Sequence, residues 1–438
     1  MKILLRRLKK KKIYNTLLII LIYRLGSFMT LPFINTIYKN DVFLKQNNSY
    51  KGLINMLTSL TGGACNRASI FSLGITPYIS ASIFTQLMCY IFPFFYKIQQ
   101  DGEIGKKKLN NITSIVTIII SLIQAPLYIL ILIENHLKDK PDYLNFISIY
   151  GKSLFLITSI ICLTTGTFFT MWLGKQINKK GIGNGNSLII ISGILSRFLN
   201  SMICEILNRL KSNYFSGSLI LLFEFFIWGL IIGFSIIIIN FVKKIDIHYI
   251  NNFSFKEKNI SNIEELSLKD DIKYIPLKVV YSGVMPIIFS QGILFIIILL
   301  LNNLNIKSVV IDKIKNIYGF WYNLLYSILI IMITYFYTFL SIPVNKISDE
   351  LKLNGVYIPS IKPGKETYIY LKKILLQISF LGSILLAIIA ILPSIFISLG
   401  GDKNFSLFFG GTSLIILVGV LLEIKTTVNS NLLNYNKF

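Results

Sequence analysis

The feature that most constrains this chain is the recurrence of long apolar runs separated by short charged segments. A backbone that crosses roughly 30 Å of hydrocarbon must satisfy its own hydrogen bonds, so each crossing needs about 20 mostly apolar residues wound into a helix. Ten stretches qualify, at approximately 15–37, 75–92, 112–133, 153–173, 187–203, 218–242, 279–301, 318–343, 371–399 and 405–422. The chain therefore reads as an all-α polytopic membrane protein. Composition agrees: 15% of residues are charged, well below the roughly 25% of an average soluble domain.

A formal charge of +24 is compatible with nucleic-acid binding. The lysines, however, are dispersed between apolar runs, and membrane orientation accounts for them better. With the basic amino terminus inside, the segments on its side hold 29 Lys and Arg and the opposite loops hold 12. That bias supports ten spans with both ends cytosolic, and no direct nucleic-acid partner is expected. The basic start resembles a signal peptide, yet the apolar run from Leu17 to Ile37 exceeds a usual signal core and no small-residue cleavage site follows. It is read as the first span. Heavy use of Ile, Lys, Asn, Phe and Tyr fits the codon drift of a reduced bacterial or organellar genome.

Catalytic and metal readings find little support. Cys65, Cys89, Cys162 and Cys204 lack metal or disulfide spacing, and His136 and His248 stand apart from any Cys, Asp or Glu constellation. No enzyme activity, metal or cofactor is expected. Closely spaced glycines at Gly181 to Gly185 invite a phosphate-loop reading but lack the G-x-x-x-x-G-K-[ST] spacing. A tight turn whose Asn184, Asn186 or Ser187 caps the next helix fits better. Gly229 and Gly233 form a G-x-x-x-G pair suited to close helix packing.

One segment is odd for a plain membrane anchor. From Gly62 to Ile83, paired glycines precede a run of small residues, and Gly74 with Pro77 interrupts the helix pattern. By itself the pattern fits a re-entrant half-helix and a packing kink equally well. The long loops 243–278 and 344–373 mix both charge signs and project into water, as solvated connectors or as a docking surface.

This segment resembles the plug and second helix of the SecY family, and further matches follow in order. Thr165-Gly166-Thr167 with Met171-Trp172-Leu173-Gly174, and then Gly181-Ile182-Gly183-Asn184-Gly185, are similar to the fourth helix and the turn into the fifth. Ile275-Pro276-Leu277-Lys278-Val279 with Gly283-Val284-Met285-Pro286 resembles the start of the seventh. Ile358-Pro359-Ser360-Ile361-Lys362-Pro363-Gly364 resembles the tip of the last large cytosolic loop, and Gly410-Gly411-Thr412-Ser413-Leu414 the beginning of the tenth helix. Six collinear matches over ten spans are specific where any one alone is weak.

The resemblance implies ten helices in two pseudo-symmetric five-helix halves around a central pore, with a short re-entrant plug helix. The halves would be 15–203 and 218–422, joined by an outer loop 204–217, with a basic terminus 1–14 and a cytosolic tail 423–438. It also implies a protein-conducting channel that passes unfolded, signal-bearing preproteins and releases apolar segments sideways into lipid. A pore ring would draw on Ile75, Ile79, Asn186, Ile190, Met285 and Ile416. Asn186 departs from the apolar pattern, which leaves Leu188 or Ile189 as the alternative at that position. The plug would be 62–71, with Gly62, Gly63, Asn66, Arg67, Ser69 and Phe71; Gln86, Gln124 and Gln291 would line a lateral gate. Lys243, Lys244, Lys362, Pro363 and Gly364 would meet the motor or ribosome, with lysine at three places where the family carries arginine. Ser114-Ile115 similarly replaces a basic and aromatic pair. Implied partners are SecE-like and SecG-like membrane subunits and a SecA-type ATPase or the ribosome. The implied location is the bacterial inner membrane, with the plastid thylakoid as alternative. The rival reading is a secondary transporter, which would place charges at mid-membrane; only Arg24 and Glu224 are candidates, and an interfacial position explains Glu224 more cheaply.

Overall fold

The computed structural model describes residues 2–32, 61–133, 151–212, 214–249, 273–279, 285–303, 319–398 and most of 414–426. The glycine motif at 410–413, Gly283 and Val284, His136 and the carboxyl tail beyond 426 lie outside the described residues.

Helix α1 runs Lys2–Gly26 and so begins inside the basic segment, well before the expected span. Lysine and arginine propagate a helix almost as well as leucine, so the charged run does not stop it. It ends at Gly26 rather than continuing to 37; Ser27 Oγ caps the end by donating to the Arg24 carbonyl at 2.7 Å. Helix α2 (Thr76–Ile91) carries Pro77 in its first turn, where the missing N–H costs nothing. Pro93 then breaks the chain: Phe92 is extended, and α3 (Pro93–Gln100) leaves at 104° to the line of α2.

Helix α4 (Gly102–Leu132) starts ten residues before the expected 112, taking in Lys106 to Lys108. Helices α5 (Lys152–Lys180), α6 (Gly185–Ser212) and α7 (Tyr214–Asn240) follow. Strands β1 (Val242–Tyr249) and β2 (Lys273–Lys278) precede α8 (Met285–Asn303) and α9 (Phe320–Ser341). Helix α10 (Val344–Leu353), β3 (Val356–Tyr357) and α11 (Lys365–Ser398) complete the named elements, and 416–422 is helical.

Among the described residues, five helices are long and apolar enough to cross a membrane, at Gly102–Leu130, Ser153–Lys180, Leu221–Asn240, Phe320–Leu353 and Lys365–Leu392. The bent α2–α3 pair is a sixth candidate, and Gly185–Ser196 and Met285–Leu294 are shorter apolar helices. Large apolar side chains stand exposed along the long helices, among them Leu222, Phe223 and Phe226 on α7 and Ile119, Leu122 and Ile123 on α4. Continuous apolar faces of this kind are unfavourable in water and at home in lipid.

Two compact units are present, 1–228 with 295–323 and 392–438, and 229–294 with 324–391. In the first, α1 packs on α5 and α6, α4 packs on α2 and α5, and α5 packs on α6. In the second, β1 lies centrally in an antiparallel sheet ordered β2-β1-β3, with Val242 opposite Lys278 and His248 opposite Tyr357. The loops 243–278 and 344–373 are thus structured where they are described, rather than loose connectors. Ile245, Ile247 and Leu277 from the sheet bury against Ile342, Val344, Val356, Ile358, Leu371 and Leu375.

Candidate functional site

The described parts of the chain between α1 and α2, 27–32 and 61–75, build a densely bonded and largely buried structure in the first unit. Residues 62–75 form successive turns rather than the short helix expected for 62–71. Three glycines explain why: Gly62, Gly63 and Gly74 have φ of +66°, +85° and +53°, values that take the chain out of a right-handed helix. Ala68 shares the left-handed region at φ +47°, a strained conformation for a residue with a Cβ.

Backbone bonds hold the segment to the end of α1. Leu31 N–H donates to the Ala68 carbonyl and Ile70 N–H to the Met29 carbonyl, each at 2.9 Å, so Thr30 and Ser69 form a single antiparallel bridge. Side chains of neighbouring helices reach in as well. Tyr128 of α4 donates its hydroxyl to the Cys65 carbonyl at 2.7 Å, and Thr170 of α5 donates to the Gly74 carbonyl at 3.1 Å. Within the segment, Ser72 Oγ donates to the carbonyls of Ser69 and Ala64.

Apolar packing supplies the remainder. Cys65, Ala68 and Leu73 bury against Leu31, Ala125, Tyr128, Ile129, Leu132, Phe155 and Leu163. Phe71 lies between the Tyr23 and Phe169 rings, with centroids 5.8 and 5.9 Å away, and Phe169 stacks in turn on Trp172 at 5.6 Å. Two helical glycines make room: a Cβ on Gly26 would collide with the Phe71 ring, and one on Gly166 with the Ile70 carbonyl.

Of the plug residues read from the sequence, Gly62, Ser69 and Phe71 are buried and Gly63, Asn66 and Arg67 half-buried. Tyr23, Gly26, Tyr128, Gly166, Phe169 and Thr170 were missed as its holders. Tyr128 carried a signal, since a tyrosine in an apolar helix needs a partner for its hydroxyl.

Of the pore-ring residues in the first unit, Ile75, Ile79, Ile190 and Ile416 are buried. Asn186 is half-buried in the first turn of α6, and its Oδ1 lies where a Cβ on Gly174 of α5 would fall. Its neighbour Ile189 is fully buried. Asn184 does cap α6, accepting from Asn186 N–H at 3.3 Å, and Asn178, unforeseen, accepts from Gly185 N–H at 2.6 Å. Met285 belongs to the second unit and is half-buried. Gln86 of α2 is exposed, Gln124 of α4 half-buried and Gln291 of α8 buried. Ser114 accepts from Lys175 Nζ at 2.7 Å. A basic residue at 114 would face that ammonium, which gives the departure at this position a physical reason.

The other candidate surface lies in the second unit. Lys362 is exposed, and its backbone is pinned from both sides: its N–H donates to Glu366 Oε2 at 3.3 Å, and Thr367 Oγ1 donates to its carbonyl at 2.9 Å. Ser348 of α10 donates to the Gly364 carbonyl at 2.8 Å, and Gly364 turns the chain at φ +106°. Pro363 is exposed between them. Lys243 and Lys244 are exposed on β1, where Lys244 Nζ lies 4.6 Å from the Tyr274 ring centre. Ser348, Glu366 and Thr367 were not foreseen. No group of three His, Cys, Asp or Glu that could hold a metal occurs among the described residues.

Comparison with known proteins bears on both regions. A family model described as SecY matches residues 69–425. The protein translocase subunit SecY of Staphylococcus carnosus is 34% identical over 425 residues, covering 94% of this chain and 92% of its own. That of Bacillus subtilis is 34% identical over 440 residues, covering 98% and 95%. Among solved structures, a protein-conducting channel has a TM-score of 0.62 at 15% identity, covering 96% of this chain and 92% of its own. Sec61 in a canine ribosome–channel complex has a TM-score of 0.59, also at 15% identity, with the same shares covered. With relatives matched nearly end to end and the channel fold shared, this chain belongs to the SecY family.

Proposed function

We propose that the chain is the pore-forming subunit of a protein translocase, passing unfolded preproteins across a membrane and releasing apolar segments sideways into lipid. The observation that carries this reading is the cradle around 62–75, where α4, α5 and the end of α1 hold an irregular, small-residue segment by contacts that can be broken one by one. An irregular backbone at membrane depth is tolerated only where protein or a water-filled cavity surrounds it. A stopper has to be such a segment, since it must fit closely when seated and leave without unravelling a helix.

The isoleucines at 75, 79, 190 and 416 would contribute, with Met285 and position 186, a constriction of bulky apolar side chains. Such a ring passes an extended peptide yet sheds water and ions when unoccupied. Asn186 makes that ring less apolar at one point, and Ile189 is the alternative contributor. Gln86, Gln124 and Gln291 would hydrogen-bond across a closed lateral seam.

The chain is a passive channel subunit rather than an enzyme, so movement must be driven from outside. Lys362, Pro363 and Gly364, with Lys243 and Lys244, form the surface for a motor ATPase or the ribosome; the pinned backbone at 362–364 supports this by presenting Lys362 in a fixed place. Small membrane subunits like SecE and SecG would complete the assembly in a bacterial inner membrane, with both termini cytosolic. A secondary transporter is not favoured, because the relatives are translocase subunits.

The test is a secretory precursor stalled in the complex, with a photoactivatable residue at 79 or 190. Crosslinks from those positions to the precursor are expected. Crosslinks only from lipid-facing positions such as 123 or 223 would remove the reading.

A further inference from the structure

Arg24, in the last turn of α1, and Arg67, in the plug segment, bring two guanidinium groups to one small patch. Two separate contacts establish the convergence. Arg67 Nη2 donates to the Gly62 carbonyl at 3.3 Å, and a Cβ on Gly62 would fall 2.6 Å from Arg24 Nη1. Both cations also share the Phe28 ring, with Arg67 Cζ 4.2 Å and Arg24 Cζ 5.9 Å from its centre.

The patch is incomplete as it stands. Arg24 Nη1 and Arg67 Nε are shielded from solvent and have no hydrogen-bond acceptor, and no described carboxylate pairs with either arginine. A shared ring attracts each cation but neutralises neither. Two half-buried like charges set side by side, each with a donor shut off from solvent, are unfavourable unless something accepts from both. A group with two or more anionic oxygens has the required charge and geometry, because guanidinium forks match carboxylate and phosphate oxygens.

We infer that Arg24 and Arg67 form a binding site for a single oxyanion, carboxylate or phosphate in chemistry, whose occupancy ties the end of α1 to the plug segment. The tie rests on the plug reading; the binding does not. An ion in the bathing solution and the headgroup of an anionic lipid are the two sources of such a group.

The experiment uses the assembled complex in neutral detergent. Labelled inorganic phosphate is titrated at constant ionic strength against chloride, and retained phosphatidylglycerol is counted after reconstitution in mixed vesicles. Saturable binding of one phosphate per channel identifies the soluble source, and retention of one phosphatidylglycerol without phosphate binding identifies the lipid. Either should weaken about tenfold or more in Arg67→Gln and in Arg24→Gln, as expected for loss of a charge-assisted bond. Arg67→Glu, which supplies an internal counter-ion, should abolish binding and keep the channel closed. Arg67→Lys covers the case in which a neutral side chain disturbs folding: it keeps the charge and should bind with intermediate affinity. Absence of saturable binding to both probes, or equal binding in the Gln variants and the parent, overturns the site. Ion leak is read separately: a leak that is unchanged when 63–70 is deleted sinks the plug reading and leaves the binding result to judge the site.

Discussion

The plug segment and the Lys362 tip solve opposite problems with similar parts. Both are irregular stretches turned by glycine, and both contain a non-glycine residue in the left-handed region, Ala68 at φ +47° and Ser360 at φ +65°. The plug is held from outside itself, by Tyr128, Thr170, the Thr30–Ser69 bridge and the Phe71 ring stack. The tip is held by bonds from Glu366 and Thr367 beside it and from Ser348 of α10, and leaves Lys362 exposed. On the roles proposed above, ties to surrounding helices suit a part that must come away, and a pinned backbone suits one that must stay in shape while a partner pushes on it.

Removing 63–70 should break the comparison most severely. The channel should still assemble, while ion conductance through reconstituted vesicles rises sharply; an unaltered conductance would argue that the segment seals nothing. Next in size is Lys362→Glu. Reversing an exposed charge leaves stability within about 0.5 kcal/mol, but it opposes a partner that recognises a cation, a penalty of several kcal/mol at an interface. Preprotein export should fall by roughly tenfold or more, with channel abundance near normal, and unchanged export would remove the docking role of the tip.

A smaller effect is expected from Gly166→Val, whose side chain would press on the Ile70 carbonyl. Overpacking of this kind costs about 1–3 kcal/mol, and it should unseat the plug partially, giving a leak below that of the deletion. Wild-type conductance in this variant would show that the cradle yields freely. The mildest change is Tyr128→Phe, which removes one external tie worth about 1 kcal/mol. Openings should become a few times more frequent, whereas Thr367→Val at the tip should leave conductance alone and affect only export.

Much of this was legible in the sequence because membrane crossing imposes a coarse rule. Apolar runs of the right length announced α4, α5, α7, α9 and α11, and Pro77 and Gly74 marked the break before α2. Helix ends were misplaced where charged residues favour helix, as at Lys2 to Lys12 and Lys106 to Lys108, because hydropathy reports the lipid and not the backbone. Within the plug, Gly62, Gly63 and Gly74 stood out, since positive φ leaves a trace in residue type. Its holders did not stand out. Thr170 and Phe169 lie between the motif residues 165–167 and 171–174, but they meet the segment only through tertiary packing, which that motif does not spell out. The stretch 243–278 was read as loop because Ile245, Ile247 and Ile275 stand among charged residues of both signs and look solvated until the buried partner, α11, is known.

The lone bridge between Thr30 and Ser69 has an implication for genetics. Its two bonds are made by main-chain atoms, so almost any side chain at the exposed Met29 or the half-buried Thr30 preserves them, while a change at buried Leu31 or Ala68 reports core packing instead. A scan of side-chain replacements would therefore miss the bridge itself. Proline, or an amide-to-ester exchange, at position 31 or 70 would reveal how much the attachment depends on it.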